Sequence, residues 1–295
     1  MEYFAALKAR FPRLTFAQDF DFSRHTTIGC GGRAALCACP RDTEEAAELL
    51  RFLLREEIPH CFLGAGANVL PPDGFYEGVV VRFSAMNFLL PNGIFIRAGA
   101  GATGGALCRA ARSNALSGFE PFTGIPMTVG GGVVMNAGVA AGHFSDVVEE
   151  VVGIERGRIR KFSLKDCVYS EKSSIFQSGI AVCEVLLRGR SAEKREIEKN
   201  TLLFRARREG LPRGRSMGCT FVNPPNISAG KLIDECGLKG CKMGGARVSE
   251  IHANFIINEG GSASDIAQLI EYIKQTVYRR TGVLLREEIR KLGHT

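Results

Sequence analysis

The fold is indicated by a glycine-rich stretch at residues 124–138, which reads GIPMTVGGGVVMNAG. A run of three glycines lies between Thr128 and Asn136, so backbone donors, a hydroxyl and an amide occur within a few residues. Glycine is entropically costly, and a stretch this rich in it usually lets the backbone approach a ligand closely. Such donors suit the pyrophosphate and polar ring edge of a flavin. The predicted cofactor residues are Gly124, Thr128, Gly130, Gly131, Asn136 and Gly138.

A second glycine-rich segment, LGAGANVL at residues 63–70, directly follows the predicted buried strand His60–Leu63. Small residues let successive backbone N–H groups point at one phosphate. The segment lacks the spacing of GxGxxG or of a P-loop, so a simple tight turn is the competing interpretation. The predicted binding residues here are Gly64, Ala65, Gly66, Ala67 and Asn68.

The elements around these segments predict a mixed α/β chain. Apolar spacing predicts helices, and short apolar runs predict strands. The predicted helices are Thr43–Glu57, with a capping-box spacing of Asp42 and Glu45, and Thr103–Ala115, Ser191–Arg208 and Ser264–Arg280. The predicted strands are His60–Leu63, Val79–Phe83, several short runs within Arg160–Leu187, and His252–Asn258.

Composition narrows the class of protein. The chain has 295 residues, is 45% hydrophobic and carries a net charge of +7. We find no membrane-spanning run and no secretory signal, so we expect a cytoplasmic protein whose ten cysteines are reduced. The cysteine spacing does not favour a metal site. The basic run Arg205–Arg215 is either a solvated loop or a guide for phosphates and carboxylates, and it lacks the aromatic platform of a nucleic-acid binder.

Three further segments occur in the last third of the chain. They read SMGCTFVNP at 216–224 with AGKLID at 229–234, GGARVSEIHANF at 244–255, and LREEIR at 285–290. Together with the two glycine-rich segments, and from His25 to Gly293, the chain resembles the UDP-N-acetylenolpyruvoylglucosamine reductase family. The interval Cys183–Arg215 has no room for the extra substrate loop of the longer family type, so the chain resembles the shorter type.

The resemblance implies an α+β or α/β fold with a two-part FAD-binding unit of the vanillyl-alcohol-oxidase (PCMH) type and a third α/β substrate-binding domain. The expected division is 1–83 and 84–197 for the two FAD-binding subdomains and 198–286 for the substrate domain. The tail 287–295 is expected to dock on the first subdomain.

The resemblance also implies a reaction. NADPH reduces FAD in a ping-pong scheme, and the flavin N5 then passes hydride to UDP-N-acetylglucosamine enolpyruvate, giving UDP-N-acetylmuramate for peptidoglycan synthesis. The expected protein is a monomer with no nucleic acid and no membrane insertion. The alternatives are a related FAD-linked oxidoreductase acting on another carboxylated substrate, and a flavin-binding paralogue that has lost catalysis.

The expected catalytic residues are Cys219, Glu288 and Lys172. Cys219 stands where the family has its proton-donating serine, and a protonated thiol is the stronger acid of the two. Glu288 matches the family's acidic residue, with Glu287 as the competing candidate. Lys172 stands where the family has a carboxylate-binding arginine, although an arginine from Arg205–Arg215 could take that role.

Three other positions match the family's substrate unit. Asn223 is expected to bind the polar edge of the sugar nucleotide and Lys231 its diphosphate. Asn254 is the third expected substrate-binding residue.

Overall fold

The computed structural model describes residues 2–292, and within this range it gives no side-chain detail for Glu2 and Tyr3. The chain forms two compact units. The first unit contains the residues up to Gln18 together with Leu36–Ala65 and Gly78–Glu209. The second contains Asp19–Ala35, Gly66–Glu77 and the residues from Gly210 onward.

The described residues contain eight α-helices and eighteen β-strands. The helices are α1 (Glu2–Arg10), α2 (Phe22–His25), α3 (Thr43–Arg55), α4 (Gly104–Ser113), α5 (Val129–Val134), α6 (Lys194–Glu209), α7 (Ala229–Glu235) and α8 (Ala263–Thr281). The strands are β1 (Thr15–Asp21), β2 (Arg33–Cys39), β3 (His60–Phe62), β4 (Val69–Leu70), β5 (Tyr76–Val81), β6 (Leu89–Asn92), β7 (Phe95–Gly99), β8 (Leu116–Ser117), β9 (Gly138–Val139), β10 (Gly142–His143), β11 (Val148–Glu155), β12 (Arg158–Ser163), β13 (Ala181–Arg188), β14 (Arg190–Ser191), β15 (Lys242–Met243), β16 (Ala246–Val248), β17 (Ile256–Asn258) and β18 (Arg290–Lys291).

A four-stranded sheet of order β1-β2-β5-β3 packs against α3, with β3 and β5 parallel. The predicted helix and strands are present, and α3 ends two residues early, at Arg55. Asp42 caps α3 by accepting the Glu45 N–H at 2.7 Å. The predicted capping box is only half formed, because the Glu45 carboxylate accepts the N–H of Arg41 instead of that of Asp42.

A five-stranded antiparallel sheet of order β12-β11-β13-β7-β6 forms the second layer of the first unit. Its core includes Val151 and Val185 from adjacent strands, packed with Leu107 of α4 and Val133 of α5. The helix predicted at 103–115 is observed at Gly104–Ser113, and Thr103 caps it by accepting the Ala106 N–H. This layer places α5, within the glycine-rich stretch 124–138, against the sheet.

The second unit is built around α8. The predicted apolar face of α8 is fully buried and consists of Ile266, Leu269, Ile270, Ile273 and Val277. It packs in one core with residues of α7 and of the three-stranded sheet β15-β16-β17. The strand predicted at His252–Asn258 is wrong in its first half, because the Phe255 N–H donates back to the His252 carbonyl in a turn and only Ile256–Asn258 is strand.

The C-terminal segment forms part of the second unit. Strand β18 pairs in parallel with β4, with Arg290 opposite Val69. Gly293, where the sequence resemblance ends, lies outside the described residues. The division at 83/84 and 197/198 stays a prediction.

Candidate active site

The first predicted cofactor loop, residues 64–68, follows β3 directly. A Cβ added at Gly64 would lie 2.7 Å from Thr128 Oγ1, so this glycine lets the loop touch the second predicted cofactor segment. Gly66 has φ +66°, and a Cβ there would lie 2.2 Å from the His25 carbonyl oxygen. Within residues 2–292, no backbone N–H of residues 64–68 donates to a protein acceptor. The loop therefore has the donors that a diphosphate requires.

In the second predicted cofactor segment, residues 124–138, two glycines lie close to other protein atoms. A Cβ at Gly130 would lie 2.9 Å from Ala100 Cβ, and one at Gly132 would lie 2.6 Å from the Phe144 ring. The N–H groups of Gly130 and Gly132 donate to the carbonyls of Ala100 and Thr128. Close packing of α5 against Ala100 and Phe144 explains these glycines. The entropic cost of these glycines was taken as a sign of a bound ligand, and that reason was wrong. Their role in cofactor binding stays a prediction.

Asn136 is also occupied by protein contacts. It is buried, with φ +43°, and its amide donates to the Ser170 carbonyl at 3.1 Å. Its side-chain oxygen accepts the Ser145 N–H at 3.0 Å. Gly138 lies so close to Gly142 that a Cβ added at Gly138 would be 2.2 Å from the Gly142 carbonyl oxygen. We infer that Asn136 holds the loop together.

Lys172 lies beside this loop. Its ammonium donates to the Gly138 carbonyl at 3.0 Å, and its own carbonyl accepts the Gln177 amide at 2.9 Å. The residue adopts φ +55°, which is unfavourable for a side chain other than glycine, so its neighbours impose the conformation. The structure thus brings a predicted catalytic cation to the end of the predicted flavin segment.

Arg208, at the end of α6, is a residue that sequence reasoning did not single out. Its side chain packs over Gly124, where an added Cβ would lie 2.8 Å from Arg208 Cδ. Gly124 has φ +76°. An arginine of the run 205–215 therefore does lie against a predicted cofactor residue, which keeps open the alternative to Lys172.

In the second unit, the segment that contains Cys219 lies between the segment of Phe255 and the segment of Glu287. Cys219 forms an antiparallel bridge with Phe255, and Phe221 forms one with Glu287. Thr220 is buried, whereas Cys219 is partly exposed, as expected for consecutive extended residues. The buried Thr220 hydroxyl has no partner among the described residues.

Asn254 fixes this segment from one side. It is 2% exposed; its Oδ1 accepts the Phe221 N–H at 2.9 Å, and its Nδ2 donates to the Phe221 carbonyl at 2.8 Å. Its backbone carbonyl accepts the Thr220 N–H at 2.8 Å. The side chain holds the backbone of the Cys219 segment, and its role in substrate binding stays a prediction.

The C-terminal segment fixes it from the other side. The Glu288 N–H donates to the Thr220 carbonyl at 2.8 Å, which brings Glu288 next to the Cys219 segment. The Asn68 amide donates to the Glu288 carbonyl at 3.0 Å, so a predicted cofactor residue supports a predicted catalytic one. Glu287 is bound at 3.1 Å by the ammonium groups of both Lys274 and Lys291. The Glu287 carboxylate is therefore occupied by two lysines, which favours Glu288 as the predicted acid.

The remaining predicted residues surround the start of α7. Asn223 is exposed, and its Oδ1 accepts the Ala229 N–H at 3.0 Å. Lys231 is exposed and lies 3.7 Å from Glu235. Across the described residues, no helix is long and apolar enough to cross a membrane, and no group of three potential ligands could hold a metal ion.

Two protein-family models match different parts of this chain. A family model described as an FAD-binding domain matches residues 34–161, which confirms FAD as the predicted cofactor. A model described as the UDP-N-acetylenolpyruvoylglucosamine reductase C-terminal domain matches residues 211–292.

Several curated relatives match over most of their length. UDP-N-acetylenolpyruvoylglucosamine reductase of Caldanaerobacter subterraneus subsp. tengcongensis is 39% identical over 278 residues, covering 92% of this chain and 91% of its own. The enzyme of the same name from Geobacter metallireducens is 34% identical and covers 99% and 98%.

Solved structures agree with the predicted fold. The crystal structure of UDP-N-acetylenolpyruvylglucosamine reductase from Thermus caldophilus superimposes with a TM-score of 0.81 at 31% identity, covering 95% of this chain and 98% of that one. A solvent-stable cholesterol oxidase matches 60% of this chain and 38% of its own with a TM-score of 0.51 at 16% identity, a likeness of fold alone. The predicted fold class is confirmed, and the chain belongs to the UDP-N-acetylenolpyruvoylglucosamine reductase family.

Proposed function

We propose that this chain reduces UDP-N-acetylglucosamine enolpyruvate to UDP-N-acetylmuramate, a step of peptidoglycan precursor synthesis. The observation that carries the proposal is the hydrogen bond from the Glu288 N–H to the carbonyl of Thr220, the residue after Cys219, in a chain of this family. It brings the segments of the two predicted catalytic residues together. An oxidase acting on another carboxylated substrate would not need this pair. The same pair argues against a paralogue that has lost catalysis.

Residues 64–68 and the segment 124–138 would hold FAD, which when bound would supply the hydride that NADPH provides for the substrate's methylene carbon. The backbone N–H groups of residues 64–68, which donate to no acceptor among the described residues, are suited to its diphosphate. Thr128 touches this loop at Gly64, and Asn136 and Gly138 shape the neighbouring segment. NADPH as donor is part of the proposal.

Cys219 supplies the proton. Hydride addition at the methylene carbon leaves negative charge on the adjacent carbon and its carboxylate. The Cys219 thiol donates its proton to that carbon, and the resulting thiolate recovers a proton from water between turnovers. A thiol has an ordinary pKa near 8.5, so it is protonated at neutral pH and still acidic enough for this step.

Glu288 and Lys172 stabilise the developing charge in this proposal. A protonated Glu288 donates a hydrogen bond to the enolate carboxylate, whereas Glu287 remains paired with its two lysines. Lys172 supplies a positive charge, with poorer geometry than a forked guanidinium. Asn223 and Lys231, both exposed at the start of α7, are proposed to bind the sugar nucleotide and its diphosphate.

The location, oligomeric state and domain division of the chain are also part of the proposal. We propose a cytoplasmic monomer without a nucleic-acid partner, organised as the three parts 1–83, 84–197 and 198–286. The alternative, an oxidoreductase for another carboxylated substrate, retains the flavin loops but predicts no response to the enolpyruvyl sugar.

The test uses the holoenzyme under anaerobic conditions. NADPH is added until the flavin absorbance is lost, and UDP-N-acetylglucosamine enolpyruvate is then added. We expect rapid return of the oxidised spectrum and formation of UDP-N-acetylmuramate. Reduction by NADPH without reoxidation by this substrate would refute the proposed function.

A further inference from the structure

His252 lies in a tight turn, residues 249–255, that connects strand β16 to strand β17 in the second unit. The Phe255 N–H donates to the His252 carbonyl at 3.0 Å, and the Ser249 N–H donates to the Phe255 carbonyl at 2.9 Å. The Ser249 hydroxyl oxygen accepts the His252 N–H at 3.4 Å, and Ser249 is 3% exposed. The backbone that carries the imidazole is therefore held on both sides of His252.

The imidazole accepts a hydrogen bond from the main chain of its own turn. The Asn254 N–H donates to His252 Nδ1 at 3.3 Å. This bond requires the neutral ring with its hydrogen on Nε2, because a protonated imidazole has an N–H donor on both nitrogens. The ring also packs edge-on against Phe255, with the ring centroids 5.1 Å apart at an interplanar angle of 63°.

Both of these neighbours of the ring hold the Cys219 segment. The Asn254 amide makes two hydrogen bonds with the Phe221 backbone, and the Asn254 carbonyl accepts the Thr220 N–H. Phe255 forms the antiparallel bridge with Cys219. Movement of the Asn254 main chain would therefore displace the residue proposed as the proton donor.

The surroundings of the ring favour its neutral form. Gly230 of α7 lies so close that a Cβ added there would be 3.0 Å from His252 Cε1. Burial lowers the pKa of His252 below its ordinary 6.5, and the positive charge of Lys239 acts in the same direction. The other charged residues of α7 and of the 249–255 turn are Lys231, Asp234, Glu235 and Glu250.

We propose that His252 is a positioning residue for the protonation step, because its neutral imidazole holds the Asn254 main chain and Asn254 holds the Cys219 segment. The inference rests on the proposed function in taking Cys219 as the proton donor. Protonation of Nδ1 turns the acceptor into a donor that faces the Asn254 N–H, so the bond is lost and the segment moves. The bond is present above the pKa of His252 in the folded protein and is lost as the pH falls through that value.

The acid side of a pH profile separates His252 from the other proposed groups. Cys219 is needed as a thiol and Glu288 as a carboxylic acid, and a lower pH favours both of these protonated forms. Neither residue accounts for a loss of activity as the pH falls from about 7 to about 4.5. A loss of substrate-driven reoxidation in this range therefore reports on His252.

The first test is a pH series of the anaerobic reoxidation, measured by stopped flow on the holoenzyme. We expect the rate of the parent protein to fall by about 10-fold or more between about pH 7 and pH 4.5, because a displaced donor loses alignment. Reduction of the flavin by NADPH, followed at the same pH values, shows whether the loss is confined to the substrate half-reaction.

Two variants at position 252 separate the acceptor from the ring. An asparagine side chain can accept the N–H two residues further on and does not titrate, so His252→Asn should keep the rate at neutral pH within about 3-fold and abolish the acid loss. His252→Phe keeps an aromatic ring beside Phe255 but has no acceptor, so it should be slower by about 10-fold across the whole range. The control is His60→Asn, at a partly buried histidine of β3 in the first unit, which should leave the acid loss unchanged.

Hydrogen exchange followed by mass spectrometry tests the positioning without turnover. Asn254 holds the N–H groups of Thr220 and Phe221, which lie in a peptide covering residues 217–223. After correction for the intrinsic pH dependence of exchange, this peptide should lose protection in the parent protein as the pH falls below 6.5, and it should keep its protection in His252→Asn.

Three outcomes would overturn the proposal. The first is an acid loss of equal size in the parent protein and in His252→Asn. The second is a His252→Phe variant as fast as the parent at neutral pH. The third is unchanged protection of residues 217–223 in the parent protein over the whole pH range. Failure of the enolpyruvyl substrate to reoxidise the flavin at any pH would instead refute the proposed function, and the exchange measurement would still decide the role of His252.

Discussion

Asn254→Ala is the substitution whose effect the structure defines most closely. The Asn254 amide makes two hydrogen bonds with the backbone of Phe221, at 2.9 and 2.8 Å, in a site where Asn254 is 2% exposed. Alanine removes both bonds and leaves a buried N–H and a buried carbonyl without a side-chain partner. Each such group costs about 1–3 kcal/mol.

We expect Asn254→Ala to lower the free energy of unfolding by about 2–4 kcal/mol, since the space left can admit a water molecule to one of the two groups. Urea denaturation followed by circular dichroism measures this loss. The matched control is Asn223→Ala, an exposed asparagine with one bond to the start of α7, which should cost about 0.5–1 kcal/mol.

The same variant tests whether Asn254 positions Cys219. Substrate-driven reoxidation should slow by about 10-fold or more, because a displaced donor loses alignment, while reduction by NADPH should stay within about 2-fold of the parent. An unfolding free energy within about 0.5 kcal/mol of the parent would refute the structural argument. Equal loss of both half-reactions would refute the positioning role.

Four other outcomes follow from the same site. Cys219→Ala should slow reoxidation by about 10²-fold or more while leaving flavin reduction intact, and Cys219→Ser should retain activity, both measured by stopped flow. Lys172→Arg should keep or lower the KM for the enolpyruvyl substrate; an unchanged KM in Lys172→Ala would exclude this residue. Glu288→Gln should lower kcat, whereas Glu287→Gln should mainly lower stability, by about 1 kcal/mol or less, in parallel urea titrations. Burial lowers the pKa of His252 from its ordinary 6.5, so the folded protein keeps it neutral and stability should fall as pH drops below 6.5, a loss that His252→Gln should reduce.

Local patterns were sufficient to predict the long elements. The helix α8 carries its apolar residues at helical spacing, and all five predicted face residues are buried. In α3 the Asp42 cap was visible in the sequence. These features depend on residues three or four positions apart, so they do not require knowledge of the rest of the chain.

Non-local contacts explain the features that local sequence patterns did not predict. The sequence HANFIIN has the composition of a strand, but a turn closed by the His252 carbonyl takes its first half out of the sheet. Gly130 and Gly132 resembled ligand-facing glycines, although Ala100 and Phe144 occupy the space beside them. The hydrogen bonds of Asn254 to Phe221 were not predicted for the same reason, because Phe221 lies 33 residues away in sequence.

The anchoring of the Cys219 segment bears on the prediction that a cysteine here takes the place of a proton-donating serine. Thr220 is held through its N–H by the Asn254 carbonyl and through its own carbonyl by the Glu288 N–H. Glu288 in turn is held through its carbonyl by the Asn68 amide. None of these bonds uses the side chain at position 219, so exchange of oxygen for sulfur changes the strength of the acid while leaving its position to the backbone. We therefore expect the scaffold to accept either residue as the proposed proton donor. The pH dependence of the protonation step, rather than the fold, should then distinguish Cys219 from a serine at this position, as in Cys219→Ser.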